Sequence, residues 1–141
     1  MLAVNSADVR KDWGNFIDNV IRNKPIVVKR SRDYFMGISV SMMDELLKSF
    51  KFKFEKIEED DSSCTLSLND IDIVVNAMTF DEALDLLVSD LKEYCSEYYE
   101  ELDYWHSAPN RKEHLPLVLK TLVCKSDDEL KKEFICLVGQ S

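Results

Sequence analysis

The sequence predicts an α+β fold in two parts: a small β-α-β-β-α unit, then a small antiparallel sheet with a long amphipathic helix and two short C-terminal helices. Three observations carry that expectation. Apolar residues recur at helical spacing in separate stretches, β-branched or alternating runs bounded by turn residues lie between them, and the sign of the charge reverses along the chain. Residues 1 to 56 hold 11 Lys/Arg against 7 Asp/Glu, a balance of +4, and residues 57 to 141 hold 7 against 20, a balance of −13. We therefore place one domain at 1–50 and an acidic α+β domain at 51–141.

Leu2 to Val4 is a short apolar run that suits a strand. Asn5 with Asp8 three residues later resembles a capping box, and Val9, Trp13, Phe16, Ile17, Val20 and Ile21 then share one helical face. A helix is expected over about 6–23. Pro25 ends it, because a residue before proline is driven out of the helical region, and Ile26 to Arg30 reads as a β-branched strand. Ser31-Arg32-Asp33 forms a turn, Tyr34 to Val40 a second strand in a hairpin with the first, and Ser41 caps a short helix through about Phe50.

Lys51 to Glu55 alternates charged and aromatic residues, the pattern of a strand with one wet face. Turns at Glu58 to Ser63 and at Asn69-Asp70 separate it from Cys64 to Leu68 and from Ile71 to Val75, which predicts a three-stranded antiparallel meander. Thr79 and Glu82 form a capping box. The helix that follows repeats apolar residues from Phe80 through Leu91, Cys95 and Tyr98 to Leu102, with an acidic opposite face. After the break at Ser107 to Asn110, two short helices are expected at about 114–125 and 127–138, the second capped by Ser126 with Glu129.

No stretch approaches the roughly 20 apolar residues that span a bilayer, and Met1 to Arg10 lacks the pattern of a secretion signal, so a soluble cytoplasmic protein is expected. Cys64, Cys95, Cys124 and Cys136 lie far apart with no C-x-x-C pair, which suits reduced thiols. His106 and His114 match no metal-binding spacing, and Gly14, Gly37 and Gly139 form no phosphate loop. Asp70, Asp72 and Asp81 imitate a carboxylate cluster but stand where acids are favoured anyway, in a strand turn and a helix first turn. No catalytic residue, metal or cofactor is expected, and we expect no enzyme.

The candidate functional residues are cations in two stretches, Arg10 and Lys11 on the first helix and Lys29, Arg30 and Arg32 at the hairpin. Packed as helix on sheet, the two form a patch of the size of a phosphate track, and arginine's fork suits phosphate or guanine. A two-fold dimer would repeat that patch at fixed spacing. Basic residues on exposed turns also serve solubility alone. In the acidic part, Tyr98, Tyr99, Tyr104 and Trp105 are dense enough to anchor a partner or to build a satellite core.

The run Asn5-Ser6-Ala7-Asp8-Val9-Arg10-Lys11-Asp12-Trp13, followed by Asn23-Lys24-Pro25-Ile26-Val27-Val28-Lys29-Arg30, resembles the Phd/YefM antitoxin domain over residues 1 to about 48. Tyr34 to Ser39 fits the hairpin that ends that domain. Val9 stands where alanine is usual there, and Asp33 where a turn glycine is common. The resemblance implies a homodimer or higher oligomer that binds its own operator DNA, with Arg10 and Arg30 at the matching contact positions, and that neutralises a cognate toxin. Ser62 to Leu84, two strands and a Thr-x-x-Glu helix start, more distantly resembles the HicB-like antitoxin domain. The expected function is that of an autorepressing antitoxin. The alternative is a dimeric protein-interaction module without DNA binding.

Overall fold

The computed structural model describes residues 1–137 of the chain, so Gly139 and the last expected helical residue, 138, lie outside the described residues. The chain divides into two compact units, Met1–Leu46 and Leu47–Ser141. An α+β architecture is observed, with a sheet in each unit.

The first unit runs β1 (Ala3–Asn5), α1 (Ser6–Lys11), α2 (Trp13–Arg22), β2 (Ile26–Arg30), β3 (Asp33–Gly37) and α3 (Val40–Leu46). The single helix expected over 6–23 is two helices, because Asp12 leaves the helical region at φ −140° and ψ 64°. Aspartate and the nearby Gly14 are weak helix formers, and a tertiary fit overrides a periodic pattern at such a point. Asn5 occupies the cap position, but its side chain makes no capping hydrogen bond. β1 lies parallel to β2 and β3 antiparallel to it, joined by a two-residue turn in which Ser31 takes the left-handed φ of 55°.

Val9, Phe16, Val20 and Val28 form the core of this unit, with Ile17 and Ile26 packed against them. Gly37 ends β3 three residues before the expected end at Val40. A Cβ there would come within 3.2 Å of both Phe16 and Val20, so the glycine lets α2 approach the sheet. α3 begins earlier than expected and is capped by Ser39, whose Oγ accepts from the Met42 amide at 3.1 Å, rather than by Ser41.

The second unit runs β4 (Phe52–Glu58), β5 (Cys64–Leu68), β6 (Ile73–Ala77), α4 (Phe80–Glu100), α5 (Leu102–Ser107), α6 (Leu115–Val123), α7 (Asp127–Lys131) and β7 (Phe134–Cys136), with one 3-10 turn at Lys112–His114. Its sheet has the order β6-β5-β4-β7. The meander is antiparallel as expected, but β7 adds a parallel strand, Phe52 opposite Phe134 and Phe54 opposite Cys136. The last helix therefore stops at Lys131, seven residues short of its expected end. Phe134-Ile135-Cys136 suits a strand better than a helix, and the Phe52 amide bonds the Glu133 carbonyl at 3.0 Å.

Both expected N-caps of this unit make their bond, Thr79 Oγ1 accepting from the Glu82 amide at 3.2 Å and Ser126 Oγ from the Glu129 amide at 3.1 Å, while the Glu129 carboxylate accepts from the Lys125 amide at 3.3 Å rather than from Ser126. α4 lays Ala83, Leu87, Val88, Leu91, Cys95 and Tyr98 onto the inner sheet face of Phe52, Phe54, Leu66, Leu68, Ile73 and Val75. Cys64 and Cys95 are buried thiols, and burial pushes the Cys95 thiol up to about 11. α6 carries a buried lysine: Lys120, 1% exposed, donates from Nζ to the carbonyls of Leu47 and Phe50 and lies 3.5 Å from Glu133. That ammonium fixes the segment entering β4.

Candidate functional site

α1 ends at Lys11 and β2 at Arg30, and the first unit brings these two ends to one place. A cavity of about 420 Å³ is lined by Ser6, Val9, Arg10, Trp13, Val28, Arg30 and Phe35. The reason lies in the pleat. Residues 26, 28 and 30 of β2 point to one side, so Arg30 follows buried Val28 on the face that the helices cover. Arg10 follows buried Val9 on α1 and meets it there. The floor is apolar and its rim carries two guanidinium groups.

Trp13 and Phe35 complete the walls. Trp13 was expected on the buried helical face with Phe16. The break at Asp12 leaves it 57% exposed, its ring 5.5 Å from that of Phe16, and Phe35 is 53% exposed. The sequence signal for Trp13 is weak, since an aromatic at helical spacing is ordinarily core, and Phe35 stands in an expected strand.

The other three predicted cations do not join this wall. Lys29 lies on the opposite face of β2, where its ammonium sits 5.8 Å from the centre of the Tyr34 ring. Arg32 is at the hairpin tip, and Lys11 closes α1. All five cations are exposed. The charge of the compact units is less lopsided than the 56-residue split: Met1–Leu46 holds 7 Lys/Arg and 6 Asp/Glu, a balance of +1, and Leu47–Ser141 holds 11 and 21, a balance of −10. Lys48, Lys51, Lys53 and Lys56 belong to the second unit.

The aromatic group of the second unit separates by burial. Tyr98 is fully buried, its hydroxyl donating to the Arg111 carbonyl at 2.8 Å, and Trp105 is half-buried with its ring 6.5 Å from that of Tyr98. These two belong to the core. Tyr99 and Tyr104 are exposed. The repeat alone does not separate them, since Tyr98 and Tyr99 stand three and four residues after Cys95, and only Tyr98 is buried.

On the acidic face of α4, Asp85 is paired with Lys131, and Lys92 on the same helix bonds Asp127 of α7 at 2.8 Å. Asp70 and Asp72 line a cavity of about 650 Å³ with Lys51, Lys53, Arg111 and His114, whereas Asp81 stands in the first turn of α4. Among the described residues no three His, Cys, Asp or Glu side chains are grouped to hold a metal ion. No described helix is long and apolar enough to cross a membrane.

His114 is buried at the foot of that polar cavity. The Tyr94 hydroxyl is hydrogen-bonded with Nδ1 at 2.6 Å, and a hydrogen bond with the Asp70 backbone engages the ring as well. Burial, and next the Arg111 charge, holds the imidazole below its ordinary pKa against the opposing pull of Glu113 and Asp72.

A family model, PHD-like, described as antitoxin of toxin-antitoxin, RelE/RelB, TA system, matches residues 1–136. The chain is also similar to a crystal structure from Syntrophomonas wolfei subsp. wolfei, described as the antitoxin part of a candidate toxin/antitoxin system. The two are 33% identical, the match covers 97% of this chain and 99% of that one, and the TM-score is 0.91. No curated protein matches the chain.

Proposed function

The chain belongs to the PHD-like antitoxins of toxin-antitoxin systems, and from that premise we propose that it neutralises a cognate toxin and, as a dimer, represses its own operon by binding operator DNA. The family match across both units carries the reading. Its finer form keeps the Phd/YefM likeness for the first domain and the HicB-like one for the second, with residues 1–50 meeting DNA, residues 51–141 meeting the toxin, and both acting in the cytoplasm.

Two features support the DNA-binding part. Arg10 and Arg30 converge on one wall, where two forks spaced by the fold can hold phosphate or a base edge. The first unit also buries only four core residues while Trp13, Phe35, Met36 and Ile21 stay exposed. A unit of that size gains stability by associating with a second copy.

One observation favours the other reading, a dimeric interaction module that leaves DNA alone: the first unit is nearly neutral, at +1, and its arginines border an apolar cavity. Gel-shift titration against the DNA upstream of the gene, at low and moderate salt, separates the two. Binding that falls steeply with salt and is lost in Arg10→Ala and Arg30→Ala supports the repressor, because phosphate contacts release counterions. Salt-insensitive or absent binding supports the module, and repression retained in both variants removes these arginines from the DNA face.

A further inference from the structure

β6 is an edge strand. Among the described residues it pairs with β5 alone, so alternate residues of Ile73–Ala77 aim their N–H and C=O groups away from the sheet. Exposed edges are usually blunted by a lysine, a proline, a bulge or extreme shortness. The sequence Ile-Val-Val-Asn-Ala has no such residue, and its register against β5 runs one to one without a bulge. The opposite edge is the three-residue β7.

Apolar surface gathers on this same strand. Val74 is 65% exposed and Met78, just past the strand, 66%. Next to them the outer face is polar and internally satisfied, the Asn76 amide donating to Ser63 Oγ at 3.0 Å and to Thr65 Oγ1 at 2.9 Å. An open backbone ladder flanked by an apolar side chain is the arrangement by which a sheet takes up an extended peptide.

The geometry points to an extended segment of the toxin, rich in Lys or Arg, adding to this sheet as a strand beside β6 with its alternate side chains against Val74. The inference rests on the reading of the chain as a toxin-binding antitoxin. Charge selects the occupant. The unit carries −10, and Asp81 and Glu82 follow β6 in the first turn of α4, so a second copy meets like charge where a basic chain is attracted.

The test is amide hydrogen exchange on the full chain, alone and saturated with the product of the gene adjoining its own, beside affinity titrations of Val74→Lys and Val74→Thr. Outward amides of Ile73–Ala77 should slow by about tenfold or more on binding. Val74→Lys should weaken binding by about tenfold or more, and Val74→Thr, a good strand former, should keep it. Unaltered exchange protection of the α4 and β5 amides in both unbound variants would show that the second unit folds. Tight binding with the β6 amides unchanged overturns the edge assignment and leaves the antitoxin reading standing. No binding by the unaltered chain removes toxin neutralisation by that product, and the docking strand with it.

Discussion

At the scale of single residues, the partners that a buried polar group finds decide what it does. Lys120 sits inside Leu-Val-Leu-Lys-Thr-Leu-Val, a run in which a lysine reads as the wet face of a helix. It is buried because the Leu47 and Phe50 carbonyls and Glu133 answer its ammonium, partners some 70 positions or more away or brought in by the last strand, which no local pattern reports. His114 is similar. Tyr94 hydrogen-bonds its Nδ1, burial holds the pKa below its ordinary value, Arg111 adds to this, and Glu113 and Asp72 oppose it. A group whose pKa is depressed by folding contributes stability that is complete above the unfolded value and lost as pH falls. The chain should thus be less stable to urea at pH 5.5 than at pH 7.5, and His114→Gln should shrink that difference; an equal pH response in the variant would place the titration elsewhere.

At the scale of elements, what was legible was set by how much of each element's stabilisation is local. Cys64–Leu68 and Ile26–Arg30 match their expected bounds because alternation or β-branching and flanking turns coincide there. β7 was missed because three residues carry too little pattern, and its partner β4 lies some 80 residues away. Two look-alike helix starts make the point measurable. Thr79 makes its capping bond whereas Asn5 makes none. Thr79→Ala should then cost about 1 kcal/mol in a denaturant titration, with Asn5→Ala close to neutral. Equal losses would mean that Asn5 caps α1 in solution. For the candidate site the same logic applies: Arg10 and Arg30 were readable as cations at element ends, but the apolar floor beneath them depends on the break at Asp12 that turns Trp13 outward.

At the scale of the whole molecule, the two units differ in how much core each owns. The first has four buried apolar residues and several exposed aromatics, while the second, among the described residues, gathers seventeen buried core residues, six of them on α4, into a core of its own. If the first unit gains its stability from a second copy, its unfolding is coupled to association, and its midpoint must rise with protein concentration by mass action. The second unit unfolds within one chain, and its midpoint should stay fixed. Calorimetry of the full chain over about a hundredfold range of concentration should therefore show a first transition that climbs by several degrees and a second that does not move. Trp13→Ala and Phe35→Ala, which trim exposed side chains, should flatten the climb of the first transition and leave the second alone. Two concentration-independent transitions would make the first unit a stable monomer, and a two-fold arrangement of Arg10 and Arg30 on DNA would then have to come from the DNA itself, by two chains binding adjacent half-sites.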